Sequence, residues 1–215
     1  LDIFNDKVNN LIGRVDKLHN KQVFVEMNKI TASLGDAHTG MNYFDGFTYP
    51  LKFYCFNDEI YVIDADESLE SILYAKITKI NGLDINIVAE GLKTLISHEN
   101  EYWVKSYLPN YLSKPVFMYS LGIIPDEDKT TFEFKTICGD IIEEEINILS
   151  FNEQSDYINL NKSERNVYLF DREKEDNYWF EYLKEDKCVY FKYNVCEVMK
   201  GNLFLNFNYK MFSTI

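Results

Sequence analysis

Apolar residues recur every three or four positions through the first 34 residues. In residues 2–18 and 21–34 these steps place the apolar side chains on one face of a helix. The recurring positions are Phe4, Val8, Leu11, Val15, Leu18, Val23, Met27, Ile30 and Leu34. His19 and Asn20 read as a turn, and Gly35 stands where a left-handed C-cap belongs. The pattern predicts two antiparallel helices joined as a hairpin.

Beyond the second helix the pattern changes to the alternation that is typical of strands. Residues 50–56 and 60–63 flank the polar turn 57–59, which predicts a β-hairpin. Residues 75–80 also alternate, and an Asn-Gly pair follows them as a strong short-range turn signal. We therefore expect three strands in this part of the chain.

Two further helices and a second hairpin are predicted next. Spaced apolar residues indicate helices over about 86–97 and roughly 99–113. Alternation up to Thr136, and again at 146–148, predicts two strands joined by a two-residue hairpin loop at 138–140. With a helix between two hairpin signals, we expect residues 48–150 to form one compact β-rich domain.

The chain changes character after this region. Residues 151–177 are rich in Asn, Ser, Asp and Glu, and we interpret them as a linker with some order. Residues 178–215 carry a strand over 188–195 and then a helical pattern, which resembles the opening of an α/β layer. Because a single βα unit cannot bury both faces of its strand, we expect this second domain to be incomplete here. The predicted fold class is α+β.

The composition is that of an acidic globular protein. Lys and Arg number 22 and Asp and Glu number 35, so the formal net charge is −13. Long-range repulsion makes nucleic acid and anionic membrane surfaces poor partners. No apolar run is long enough for a membrane-spanning helix, which needs about 20 residues. The classes that bind polyanions or span a membrane are therefore disfavoured.

The N-terminus leaves the cellular compartment open. Residues 1–6 lack the basic and apolar regions of a signal peptide, and the chain does not begin with Met. We expect a processed or partial chain. It is extracytoplasmic if a signal or anchor has been removed and otherwise cytoplasmic, and its oligomeric state is not indicated.

Motifs for metals, cofactors and nucleophiles are sparse. The four cysteines form no C-x-x-C pair and are expected to be half-buried free thiols. The sequence has no Gly-x-Ser-x-Gly elbow, phosphate loop or dinucleotide fingerprint. The acidic run Glu143-Glu144-Glu145 is better explained as solvated charge on an edge strand than as metal ligands. We therefore expect no cofactor and no metal.

Of the three histidines, His38 stands in a distinctive place. His19 and His98 lie in turns, where solvated or structural roles are common, and Ser97 is a candidate N-cap. His38 lies in a Gly-flanked corner between a helix and the first strand. Asp36, two residues earlier, could fix its tautomer by accepting a hydrogen bond from the ring, as a general base needs. The alternative is a structural cap that satisfies its own backbone.

The corner and the Asn-Gly turn together resemble a known family. Residues 34–39, Leu-Gly-Asp-Ala-His-Thr, resemble the L-x-D-x-H-T corner of the C-terminal-processing, tail-specific serine peptidases, which include the tricorn-protease core. Residues 75–82 resemble the V-x-x-I-N-G strand and turn of that family's PDZ-like domain. The segments 85–97, 131–149, 178–180 and 189–193 resemble, in the family's order, its helix, its closing hairpin and the start of its peptidase domain.

The resemblance implies a role for His38 and an organisation for the chain. In tricorn-like members the corner histidine is the catalytic base, a role that falls on His38, whereas members with a Ser–Lys dyad use this position structurally. The nucleophilic serine of the family matches nothing here, so the chain is expected to be inactive alone. The implied domains are a helical hairpin and corner (1–47), a PDZ-like domain (48–150), a linker (151–177) and the start of a truncated catalytic domain (178–215).

Two other functions remain open at this point. The implied partner of the PDZ-like domain is a peptide or protein substrate, bound or gated by strand addition at an open sheet edge. A PDZ-like module that binds peptides or proteins without catalysis is the alternative to a peptidase fragment. A structural scaffold is a third hypothesis, and it predicts no defined groove near residues 75–97.

Overall fold

The chain has a mixed α+β fold with helices and antiparallel sheets. The structure, a computed structural model, describes residues 2–41, 45–150, 153, 169, 172 and 176–214. The chain divides into two compact units, residues 1–159 and 160–215. Most of the predicted linker at 151–177 lies outside the described residues.

The N-terminal hairpin forms, but its first helix is shorter than predicted. Helix α1 spans Asp2–Ile12, a 3₁₀ turn spans Val15–Lys17, and α2 spans Asn20–Ala32. The expected helix over 2–18 is therefore wrong at its end, since the α-helix stops before Gly13. Glycine costs about 1 kcal/mol relative to alanine inside a helix, and this favours a stop at that residue.

Six strands form one antiparallel sheet: β2 Leu51–Phe56, β3 Glu59–Ala65, β4 Lys76–Ile80, β5 Leu83–Asp84, β6 Lys129–Lys135 and β7 Ile141–Asn147. Their order is β2-β3-β4-β6-β7, and β5 pairs with β4 on the side of β3. Two short strands, β1 Phe47–Thr48 and β8 Leu149–Ser150, pair with each other. The structure confirms that strands 75–80 and 131–137 share a sheet.

The second hairpin has a longer loop than predicted. Strand β6 ends at Lys135 and β7 begins at Ile141, so the loop covers residues 136–140 rather than two residues. The Thr136 N–H donates to the Asp140 carbonyl at 2.8 Å, and the Gly139 N–H donates to the Thr136 carbonyl at 3.0 Å. These bonds close a wider turn, in which Gly139 takes a φ of +95°.

Three helices follow the Asn-Gly turn: α3 Ile85–Lys93, α4 Glu101–Leu112 and α5 Pro115–Ser120. Helix α3 ends four residues before the predicted end at 97, and α5 was not predicted at all. Proline at the first position of α5 fits a helix start, because its missing N–H is not needed there. Asn100, and not Ser97, caps α4 by accepting from the Trp103 N–H at 3.0 Å.

The core of the first unit lies between the sheet and these helices. Phe132, Phe134 and Ile77 of the sheet are fully buried and share one cluster with Val88 and Leu92 of α3. In β6 the burial follows from strict alternation, which points every second side chain inward, whereas β4 has an irregularity between Ile77 and Lys79 that breaks the alternation. This core fixes α3 and α4 on one face of the sheet, where the site described below lies.

The second unit contains one strand more than the sequence indicated. Strand β9 (Tyr178–Leu183) pairs antiparallel with β10 (Cys188–Tyr193), and α6 (Phe204–Phe212) follows. Tyr178 packs edge-on against Phe204 and Phe207 of the helix, at 5.1 and 4.7 Å between ring centroids. The strand predicted over 188–195 ends two residues earlier.

The cysteines are free thiols, as expected, but they are less buried than expected. Only Cys55 is half-buried, whereas Cys138, Cys188 and Cys196 are exposed. Cys138 lies in the wider loop between β6 and β7, and Cys196 lies beyond the end of β10.

Among the described residues no helix is long and apolar enough to cross a membrane.

Candidate functional site

The corner that contains His38 is an Asx turn built on Asp36. One carboxylate oxygen of Asp36 accepts from the His38 backbone N–H at 3.1 Å, and the other accepts from the Thr39 hydroxyl at 2.6 Å. The Thr39 N–H also donates to the Asp36 carbonyl at 3.0 Å. The hydrogen bond from the Thr39 hydroxyl is the main reason why the pKa of Asp36 lies below its usual value. The turn alone therefore explains why aspartate and threonine occupy positions 36 and 39.

The structure places the Asp36 carboxylate on the backbone of His38 and not on its ring. Both carboxylate oxygens are engaged by the turn, so the expectation that Asp36 orients the imidazole is not met. His38 itself is exposed. Among the described residues, no side chain forms a hydrogen bond with the imidazole. Within the described part of the chain, both ring nitrogens are therefore without a side-chain partner.

An aromatic pair on α4 lies beside the imidazole. The centroid of the half-buried Trp103 ring is 6.2 Å from that of His38, with the planes tilted by 59°. Tyr107, one turn later, stacks on Trp103 at 4.9 Å and 14°. Sequence reasoning missed Trp103, although its i, i+4 spacing from Tyr107 is a signal for side chains that meet on one helix face. Among the described residues, Trp103 is thus a ring neighbour of His38.

The segment after α3 lies against the same corner. Ser97 is buried, and its hydroxyl has no hydrogen-bond partner among the described residues. A β-carbon added at Gly40 would lie 3.5 Å from the Ser97 Oγ, so the corner backbone passes close to this serine. Ser97 is therefore a packing residue and not the helix cap that was predicted.

The other histidines and the serines near helix ends have local partners. The His19 N–H donates to the Gln22 side chain at the start of α2, and a ring nitrogen of His98 bonds the Ile96 carbonyl at 2.6 Å. The Ser33 and Ser113 hydroxyls donate to backbone carbonyls three residues earlier, at 2.7 and 2.8 Å. These contacts agree with the structural roles expected for His19 and His98.

A cleft of about 580 Å³ lies between α3, α4, β4 and the turn that joins β2 to β3. It begins where β3 and β4 diverge, since only Tyr61 and Lys76 are in register between these two strands. Residues of the 75–97 segment form one wall. The scaffold hypothesis predicted no groove there, so the cleft argues against it. We refer to this feature as the α3–α4 cleft.

Three ion pairs surround the α3–α4 cleft, and each joins two elements. Lys93 of α3 contacts Glu101 of α4 at 2.7 and 2.9 Å. Lys105 of α4 pairs with Asp58 in the β2–β3 turn, and Lys76 of β4 pairs with Glu59 of β3. These contacts lower the pKa values of Glu59 and Glu101 and raise those of Lys93 and Lys105, because each partner favours the charged form.

The two outer strands of the main sheet are β2 and β7. Helix α4 runs along β2 in the opposite direction, since Lys105 pairs with Asp58 at one end and the Ser113 carbonyl accepts from the Tyr49 N–H at 2.9 Å at the other. The run 143–145 lies on β7, where the sequence predicted edge charge. Lys129 of β6 contacts Glu145 of this run at 3.0 Å.

Sequence comparisons give no relative: no protein-family model matches the chain, and no curated protein matches it significantly. Similar solved structures are of CPAF, a chlamydial serine protease with a tail-specific-protease-like fold. Mature CPAF is 17% identical, with a TM-score of 0.51 over 77% of this chain and 32% of that chain. A serine-to-alanine mutant of CPAF is 18% identical, with a TM-score of 0.48 over 67% of this chain and 28% of that one.

A third structure, mature CPAF complexed with lactacystin, is 19% identical, with a TM-score of 0.47 over 73% of this chain and 30% of that one. The chain thus spans about a third of the length of the CPAF structures that it matches. At these identities the likeness concerns the fold alone. The fold of this chain is related to that of part of a serine peptidase.

Proposed function

We propose that this chain is the N-terminal portion of a serine-type peptidase that resembles the tail-specific, C-terminal-processing family. The observation that carries the proposal is the exposed imidazole of His38, held in an Asx turn between α2 and the sheet with no side-chain hydrogen bond among the described residues. A fold related to part of CPAF supports the same reaction class. His38 is the proposed catalytic residue.

In the proposed reaction His38 acts as a general base and then as a general acid. A serine hydroxyl from outside these 215 residues attacks the peptide carbonyl, and the imidazole takes its proton as the O–C bond forms. The imidazolium then returns this proton to the leaving amine when the C–N bond breaks. Water repeats the sequence to release the acyl group. The oxyanion is stabilised by N–H donors that also lie outside this chain.

The roles proposed for the segments of the chain follow from the family resemblance. Residues 1–47 supply the corner, residues 48–150 act as a PDZ-like domain that binds or gates a peptide or protein substrate, and 151–177 link it to the start of the catalytic domain at 178–215. The α3–α4 cleft supports the substrate role, because its size falls in the range of about 300–1,000 Å³ that is common for ligand sites.

A serine-directed phosphonate tests this proposal. The complete polypeptide that contains this chain should be labelled stoichiometrically at one serine outside residues 1–215. The 215-residue chain should give no labelling and no hydrolysis of a peptide substrate above background, because a serine without a base and an oxyanion site is a weak nucleophile. Labelling of the short chain that one Ser→Ala change abolishes would contradict the proposed incompleteness.

A second candidate is a module that binds peptides without catalysis. The α3–α4 cleft favours it independently, since the cleft is complete within the first unit and needs no catalytic group. The same phosphonate experiment separates the two functions. If the complete polypeptide binds peptides but is neither labelled nor active, the binding module replaces the peptidase.

A further inference from the structure

The α3–α4 cleft carries more carboxylates than lysines. Its lining includes the acids Asp58, Glu59, Asp84, Glu90 and Glu101 and the bases Lys76, Lys93 and Lys105. Each lysine forms an ion pair with one of these acids: Lys76 with Glu59, Lys93 with Glu101 and Lys105 with Asp58. The two acids left, Asp84 and Glu90, form no salt bridge within the described part of the chain.

These two carboxylates lie on the same wall of the cleft. Asp84 is the N-cap of α3 and accepts from the Asn86 N–H at 2.8 Å, while Glu90 stands on the exposed side of the helix. Lys79 lies near Asp84 but contacts Glu133 at 2.8 Å instead. Lys93 of the same helix interacts electrostatically with Glu90, but its ion pair is with Glu101, so the cleft keeps an excess of negative charge.

Beneath the charged rim the cleft is aliphatic. Its apolar lining residues are Ile60, Ile85, Ala89, Val104 and Leu108. An occupant that satisfies both parts needs aliphatic surface below and a cation at the rim. Lysine and arginine side chains meet this requirement, because their methylene stems pack on apolar surface while the charged head remains in water.

We propose that the α3–α4 cleft binds a peptide segment in which an aliphatic residue stands next to lysine or arginine. An anionic segment would meet lysines that are already neutralised and would be repelled by the remaining acids. This proposal rests on the proposed substrate-binding role of the cleft and specifies the substrate class. The net charge of −13 also steers cationic segments toward the protein at low salt.

Fluorescence anisotropy with three labelled peptides tests the charge preference on the 215-residue chain. The probes are Ala-Leu-Arg-Leu-Arg-Ala, the same peptide with citrulline in place of arginine, and the same peptide with glutamate in place of arginine. The arginine peptide should bind about tenfold more tightly than the citrulline peptide at low salt, and the difference should shrink as salt screens the charges. The glutamate peptide should bind weakest.

Two double variants test which carboxylates cause the preference for the arginine peptide. Asp84→Asn with Glu90→Gln should weaken arginine-peptide binding about fivefold and leave citrulline-peptide binding unchanged. Asparagine is also a good N-cap, so this variant keeps the start of α3. The matched control, Glu143→Gln with Glu144→Gln, removes the same charge from β7 and should change neither affinity.

Thiol labelling gives a second readout of the same site. Cys55 lines the cleft, whereas Cys138 lies in the loop before β7. The bound arginine peptide should slow maleimide labelling of Cys55 and leave that of Cys138 unchanged. Protection of both thiols, or of neither, would overturn the placement of the peptide in the cleft.

The results separate this inference from the proposed function. If arginine and citrulline peptides bind equally, or if both double variants weaken binding equally, the basic-segment preference is overturned while peptide binding stands. If none of the three peptides binds, the inference and the substrate role of the cleft both fail. The role of His38 is judged separately by the activity of the complete polypeptide.

Discussion

His38 is held through its backbone, and an aromatic ring of α4 lies near its imidazole. The Asp36 turn fixes the main chain, and Trp103 lies 6.2 Å from the imidazole. The Asp-Ala-His-Thr spacing predicts the turn, because an Asx turn is local to four residues. The Trp103 contact could not be read from the sequence, since it depends on how α4 packs more than 60 residues later in the chain. Tertiary contacts of this kind leave no local pattern.

Replacing Trp103 should change the environment of the imidazole. In Trp103→Leu the chemical shifts of the His38 carbon-bound protons should change, because the ring current of the indole at 6.2 Å is removed. Proton NMR of the 215-residue chain measures this directly. Tyr102→Leu is the matched control, since Tyr102 is an exposed aromatic residue on the same helix, and it should leave these protons unchanged.

Removing the Thr39 hydroxyl should raise the pKa of Asp36. That hydroxyl donates to the carboxylate at 2.6 Å and is the largest cause of the lowered pKa, so Thr39→Val should move the value up toward that of an unperturbed aspartate. Carbon-detected NMR titration of the Asp36 carboxyl gives the result. Thr31→Val, which removes a hydroxyl bonded to the Asn28 carbonyl in α2, should leave the titration unchanged.

At the scale of elements, local patterns predicted most helices and strands but not all boundaries. The alternation of Phe132, Phe134 and Thr136 predicts β6, and the Asn-Gly pair predicts the turn before α3. Helix α5 was missed because its buried residues, Pro115 to Met118, form a continuous apolar run without helical periodicity. Local sequence patterns could not predict the α3–α4 cleft either, because it forms where two strands diverge beside two helices.

Tyr49 anchors the approach to β2 in the core. Its buried hydroxyl bonds the Thr130 hydroxyl at 2.7 Å, and its ring packs edge-on against Phe132 at 5.0 Å between centroids. Tyr49→Phe should lower the free energy of unfolding by about 1–2 kcal/mol, because Thr130 is left buried without its partner. Urea denaturation measures the loss. Tyr54→Phe, at an exposed position, should change stability little, and an equal loss in both would contradict the role of Tyr49.

The ion pairs around the α3–α4 cleft should make stability depend on pH. The folded-state pKa values of Glu59 and Glu101 lie below the usual value of 4.5, so their contribution is present above that pH and is lost as pH falls through the folded values. The urea midpoint should therefore fall as the pH is lowered from about 5 to about 3. Glu101→Gln should reduce this dependence, whereas Glu144→Gln on β7 should leave it as in the wild type. No difference between the variants would contradict the assignment.

At the scale of the whole molecule, composition and fold answer different questions about partners and architecture. The acidic charge disfavours polyanionic partners, and the fold is related to part of a serine peptidase. The chain spans about a third of the length of the CPAF structures that it matches. Under the proposed function, His38 supplies the base and the α3–α4 cleft binds the peptide.

The most direct measurement is peptide hydrolysis by the complete polypeptide with His38 replaced. His38→Ala should lower kcat by about a hundred- to ten-thousand-fold, because the serine loses its general base. His19→Ala, an exposed histidine at the start of α2, should retain wild-type kcat. Wild-type activity in His38→Ala, or an equal loss in both variants, would contradict the assignment of His38 as the catalytic base.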